Sequence, residues 1–207
     1  GTAFPFELRI PEWCDEPLIL LNGDTIQTES GQRMVRIVRT WNNNDQLTVD
    51  FPMQVRTSNW ARNSMAIERG PLVYALKVGE QWSLKQDPHR GSYYEIYPTT
   101  PWNYGLVRSV IDDPVSNTTV VEKPVNGDFY WNQANAPLEI RLSARRIPDW
   151  KLVRGVAYQP VTKRYGQYDG VVDEKVETVT LIPYGCTKLR IVAFPCVGPV
   201  GFEPTTP

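Results

Sequence analysis

Hydrolytic chemistry in this chain would have to begin with its carboxylates, and Glu12, Glu68, Asp112, Asp113, Asp149 and Glu174 are all of the right type. Glycoside cleavage uses two carboxyls, roughly 5 Å apart when configuration is retained and wider when it is inverted. No local context singles out a pair. Glu12 and Asp149 follow strand-ending prolines, where an acid is ordinarily solvated. Glu68 and Arg69 sit at the corner of Met65 to Leu76, M-A-I-E-R-G-P-L-V-Y-A-L. A carboxylate beside a guanidinium at a strand end could be a site, but it reads first as a structural ion pair.

Other chemistries have less support. The single histidine, His89, lies between Pro88 and Arg90, and no G-x-S-x-G is present, so a nucleophile–base triad is not expected. There is no glycine-rich phosphate loop. Cys14, Cys186 and Cys196 have no C-x-x-C spacing and, with one histidine, do not make a zinc cage. Free buried thiols are the expectation, although Cys186 and Cys196 could pair across neighbouring strands. Asn42-Asn43-Asn44-Asp45 lacks the acidic density of a calcium loop and reads as a turn. No metal or cofactor is expected.

Aromatic residues offer a binding chemistry. Trp82, Trp102, Tyr104, Trp131 and Trp150 fall in or beside loops, with Asn103, Asn132 and Gln133 nearby. Sugar C–H faces stack on such rings and amides bind hydroxyls. Trp102, Asn103, Tyr104 and Trp131 are the candidate substrate-binding residues. The same rings could instead cap cores or pack on a neighbouring domain.

The elements that would hold these residues are strands. The chain has 207 residues, 41% of them hydrophobic, enough for one large or two small globular domains. The 18 prolines and 14 glycines would interrupt long helices almost everywhere. Lys and Arg total 22 against 23 acids, a net charge of −1 without runs of one sign, which argues against nucleic acid or an anionic membrane as partner. No apolar stretch approaches the ~20 residues of a membrane span. The opening G-T-A-F-P-F has no signal-peptide pattern and runs straight into a strand, as if cut from a longer protein.

Phe4, Phe6, Leu8 and Ile10 alternate with polar residues and predict a half-buried strand. Leu18 to Leu21 followed by Asn22-Gly23 predicts a tight hairpin. Residues 33–39 and 46–51 are expected to pair with each other across Trp41 to Asp45. Further strands are expected at 53–57, 65–76, 93–97, 105–110, 118–121, 137–142, 177–182 and 188–194. Gly70 and Pro71 end one strand and re-aim the next. A long loop should carry Tyr158, Tyr165 and Tyr168. Arg9-Ile10-Pro11-Glu12-Trp13 recurs as Arg146-Ile147-Pro148-Asp149-Trp150, from two similar halves or from a shared way of ending a strand. The fold class is therefore all-β, with two antiparallel, jelly-roll-like β-sandwiches and little helix. The first is expected over 1–77, the second over 78–195, with an irregular tail at 196–207.

Several runs together resemble the C-terminal part of glycoside hydrolase family 127, the β-L-arabinofuranosidases. They are F-E-L-R-I-P-E-W at 6–13, L-N-G at 21–23, I-E-R-G-P-L-V-Y-A at 67–75, W-N-Y-G-L at 102–106 and L-I-P-Y-G at 181–185. Glu68-Arg69-Gly70-Pro71-Leu72-Val73-Tyr74 is the most specific part. The resemblance implies two β-sandwiches that follow a helical (α/α)6 barrel, with the opening strands of the first missing. It places the catalytic glutamate, nucleophilic cysteine and zinc-binding cysteines in the barrel, and no stretch here matches those motifs. Asn44 stands where relatives tend to have glycine, and the tail from Cys196 onward departs from the family. The implied role is a non-catalytic accessory region of an enzyme acting on arabinose-containing plant glycans, with the barrel as partner and a homodimer as a further expectation. Bacterial enzymes of this type are often exported, to the periplasm or beyond. The alternatives are a carbohydrate-binding module using the loop aromatics and a self-sufficient glycosidase with a carboxylate pair.

Overall fold

A computed structural model of the chain describes residues 1–61, 64–89, 91–125, 127–158, 168 and 170–198. These residues form an all-β structure whose one α-helix, α1, spans only Arg108–Asp112. None of their helices is long and apolar enough to cross a membrane. Two compact units emerge: 1–54 with 69–71, and 55–68 with the chain from 72 onward.

In the first unit β1 (Thr2–Arg9) pairs with β4 (Met34–Trp41). A second sheet orders β3 (Asp24–Thr25), β2 (Leu18–Leu21) and β5 (Leu47–Asp50). Period-two alternation explains the core: Val35 and Ile37 of β4 pack with Ile19 of β2, Ile10 and Cys14. Each fully buried isoleucine contributes about 1.5–3 kcal/mol. Asn22 (φ 54°) and Gly23 (φ 92°) make the expected hairpin turn between β2 and β3, since both central positions need positive φ. Residues 33–39 and 46–51 do not pair with each other as expected; β4 joins β1 and β5 joins β2. Asn22 explains the crossing. Its amide donates to Asp45 at 2.8 Å and its Oδ1 accepts from Gln46 N at 2.8 Å, which ties the turn after Trp41 to the β2–β3 hairpin. Asn44 there takes φ 72°, the left-handed backbone that asparagine tolerates.

The second unit is built on a sheet ordered β17 (Cys196–Val197), β11 (Tyr104–Val107), β13 (Leu138–Arg146), β16 (Val176–Pro183), β8 (Leu72–Leu76), β7 (Met65–Arg69) and β6 (Val55–Asn59), with β12 (Thr118–Glu122) also on β13. All the described ladder registers in it are antiparallel except the parallel pair β11–β17. β13 is its spine, carrying β16 on one edge and β11 and β12 along the other. Ile140, Leu142 and Ala144 face a core shared with Tyr74, Leu76, Leu106, Leu181 and Phe194. The opposite face holds Glu139, only 4% exposed, between Lys77 and Lys123. Met65 to Leu76 thus lies in this sheet, apart from its turn Arg69–Pro71, which groups with the first unit.

Two differences from the predicted strands have clear causes. Residues 188–194 form no strand, because Glu80 Oε1 accepts the N–H groups of Lys188 (2.7 Å) and Leu189 (3.0 Å). Burial pushes the Glu80 carboxyl up, but these donors, Thr187 and Trp82 outweigh it and hold it below the usual range. Ile191 and Phe194 keep only isolated backbone bonds to Leu76 and Met65. Conversely, β9 (Glu80–Asp87) was not expected from E-Q-W-S-L-K-Q-D, which lacks β-branched residues; it pairs with β10 (Gly91–Pro98) in a separate two-stranded sheet. At the start of the long loop expected over 155–176, β15 (Val156–Ala157) pairs with β14 (Leu152–Val153) just before it, while Tyr165 and residues 199–207 lie outside the described residues.

Candidate cleft at the end of strands β11 and β13

A cleft of about 450 Å³ opens where β11 begins and β13 ends. One wall is the 98–103 loop and the other is Arg146 to Leu152. Pro98 ends β10 and Pro101 continues the turn, so this wall has little backbone freedom. Thr99 N donates to Gly79 O, and Gly79 N donates to Thr100 Oγ1, both at 2.8 Å.

Asn103 staples the two walls. Its Nδ2 donates to Ile147 O at 2.8 Å and to Trp150 O at 3.4 Å, while its own carbonyl accepts from Ile147 N. Trp102 and Trp150 then meet edge-on, with ring centres 5.3 Å apart and planes at 73°. The Trp150 Nε1–H donates to Tyr158 O. The repeated R-I-P-acid-W run ends strands in a common way: Ile10 and Ile147 are both buried, and Trp13 meets Phe51 edge-on as Trp150 meets Trp102.

The sequence-selected residues are placed differently from one another. Trp102 lines the cleft; Asn103 lines it too, with its amide committed to backbone. Tyr104 is 6% exposed, and its hydroxyl donates to Glu177 at 2.8 Å. Burial, then that carboxylate, pushes its phenol up to about 12. Trp131 is not among the lining residues: it packs over Gly185, where a Cβ would meet its Nε1 at 2.7 Å, and meets Tyr130 edge-on. Glu68 accepts from Ser58 Oγ at 2.6 Å and pairs with Arg56, rather than its neighbour Arg69, at 2.8 Å. Gly70 takes φ 58°, and an added Cβ would overlap the Met53 sulfur. Pro71 follows at the turn into β8.

Among the other candidate carboxylates, Glu12, Asp149 and Glu174 are exposed, whereas Asp112 holds Arg108 and Asp113 accepts from Ser116 N. All three cysteines are free and buried, and burial raises their thiols. Among the described residues no group of three His, Cys, Asp or Glu side chains could hold a metal ion. A second cleft of about 460 Å³ lies by Ser143, Arg145 and Val176; like the first, it has no carboxylate among the described residues of its lining. Sequence reasoning passed over Arg146 and Lys151, two cations lining the first cleft. The signal was there in the repeated run, whose second copy places an arginine at the end of a strand.

Residues 1–53 match the family profile described as Beta-L-arabinofuranosidase, GH127 middle domain. No curated protein matches the chain. Several solved structures share its fold. A glycoside hydrolase gives a TM-score of 0.56 at 20% identity, over 95% of this chain and 28% of its own. A GH127 β-L-arabinofuranosidase from Geobacillus stearothermophilus gives 0.52 at 20% identity, over 94% and 27%. A GH127 β-arabinofuranosidase gives 0.55 at 19% identity, over 96% and 29%. The chain spans less than a third of the length of each of these structures.

Proposed function

We propose that this chain, similar to glycoside hydrolase family 127 in its first 53 residues and in its fold, is a non-catalytic accessory region of a β-L-arabinofuranosidase-like enzyme. In this reading its two β units brace a helical catalytic barrel of the same parent protein, which acts on arabinose-containing plant glycans. The observation that carries it is the state of the carboxylates: among the described residues neither cleft is lined by one, whereas glycoside cleavage needs two converging on a sugar. Glu68, Glu80, Asp112 and Glu139 instead hold parts of the fold together. Such carboxylates make a stiff support and a poor proton shuttle, since a general acid–base group must be free to exchange its proton with substrate.

The test replaces the corresponding region of the Geobacillus β-L-arabinofuranosidase. Deleting that region should abolish soluble, active enzyme, and grafting this chain in its place should restore both. Full activity of the deletion variant would contradict a supporting role.

A further inference from the structure

We propose that the cleft beside Trp102 binds a saccharide that carries a carboxylate, with Arg146 and Lys151 receiving the acid and the indole of Trp102 one face of the ring. This goes beyond the accessory reading and is independent of it, because an inactive support either has such a site or lacks one.

Charge is the first reason. Among the described residues the lining contains Arg146 and Lys151 and no Asp or Glu, in a chain whose net charge is −1. The two cations are therefore a local excess rather than part of a general basic surface. Arg146 is also uncommitted. Among the described residues it makes no ion pair, and its buried Nε–H has no acceptor. The adjacent Arg145, whose buried Nε–H also lacks an acceptor, is nonetheless committed through its other nitrogens to Gly198 O and Glu174 O, and Arg56 and Arg108 hold carboxylates. Glu177, the carboxylate that acts with Arg146 on Tyr104, accepts the Tyr104 hydroxyl and pairs with Lys175 at 3.7 Å. A guanidinium without a protein partner suits a bidentate carboxylate.

The remaining walls suit a hydrated ring. Trp102 is held by Trp150 and by the Asn103 staple, so little freedom is lost when a ring stacks on it. Thr100 Oγ1 accepts from Gly79 N, which leaves its hydroxyl hydrogen for a ligand oxygen. A volume of about 450 Å³ falls in the range of small-molecule sites.

The test titrates the whole chain with digalacturonate and, in parallel, with neutral arabinobiose, by calorimetry and tryptophan fluorescence. Digalacturonate should bind roughly tenfold tighter or better, with affinity falling as salt rises. Arg146→Gln should remove the preference. Because Arg146 is partly buried, the exposed Lys151→Gln serves as a second variant and should weaken digalacturonate about tenfold while leaving arabinobiose unchanged. Equal affinity for the two sugars, no binding at millimolar digalacturonate, or unaltered binding by Lys151→Gln would overturn the proposal.

Discussion

The Tyr104 hydroxyl donates to Glu177 Oε2 at 2.8 Å, joining β11 to β16 at the end of the core. Because burial and this carboxylate raise the phenol from 10.0 to about 12, the folded state prefers the protonated form. Its contribution is complete below the unfolded value and is lost as pH rises through the folded one. Stability should therefore fall, on the order of 2 kcal/mol, between pH 10.0 and about 12. Tyr104→Phe should be less stable at neutral pH and should lose this alkaline step. Urea midpoints across that window, with tyrosinate absorbance, check it.

Glu139 should show the opposite pH dependence. Burial pushes its carboxyl up, yet the bonds from Lys123 and Lys77, at 2.5 and 3.1 Å, outweigh that and hold it below the ordinary 4.5. Its stabilisation is present above that value and drains away as pH falls below it. Glu139→Gln should cost about 2–3 kcal/mol at neutral pH. That is less than for a fully enclosed pair, since the lysines are 33% and 35% exposed. Thermal unfolding at pH 7 and pH 4 checks both statements.

Gly70→Ala should destabilise the first unit. The substitution meets positive φ and the Met53 side chain together, at a cost of roughly 1–3 kcal/mol. Shortening Met53 to Ala in the same chain should relieve only the steric part, as a denaturant series on the single and double variants would show.

Asn103→Ala should loosen the cleft without unfolding the chain. Losing its bonds to Ile147 and Trp150 carbonyls should cost about 1–2 kcal/mol and free the Trp102–Trp150 contact. A shift in tryptophan emission at full secondary structure by circular dichroism is the expected outcome.

Particular residues explain what the sequence disclosed. Asn22-Gly23 and Gly70-Pro71 act on their own backbone, so their turns were legible locally. Ile140, Leu142 and Ala144 show the strand alternation of the core. Pairing partners were less legible, because β4 and β5 part through an Asn22 amide that reaches Asp45 from another hairpin. At the cleft, the aromatic run marked Trp102, but Arg146 and Lys151 were not singled out, since only β13 and the 98–103 loop together place them on one cleft. Trp131, grouped with Trp102 by composition, packs over Gly185 instead.

The decisive measurement is hydrolysis of an aryl β-L-arabinofuranoside by the purified chain, with and without zinc and reductant, beside the Geobacillus arabinofuranosidase as control. No aryl alcohol should be released by the chain while the control is active. Release abolished by Glu12→Gln, Glu68→Gln or Asp149→Asn would contradict the accessory role and place a catalytic carboxylate within these residues.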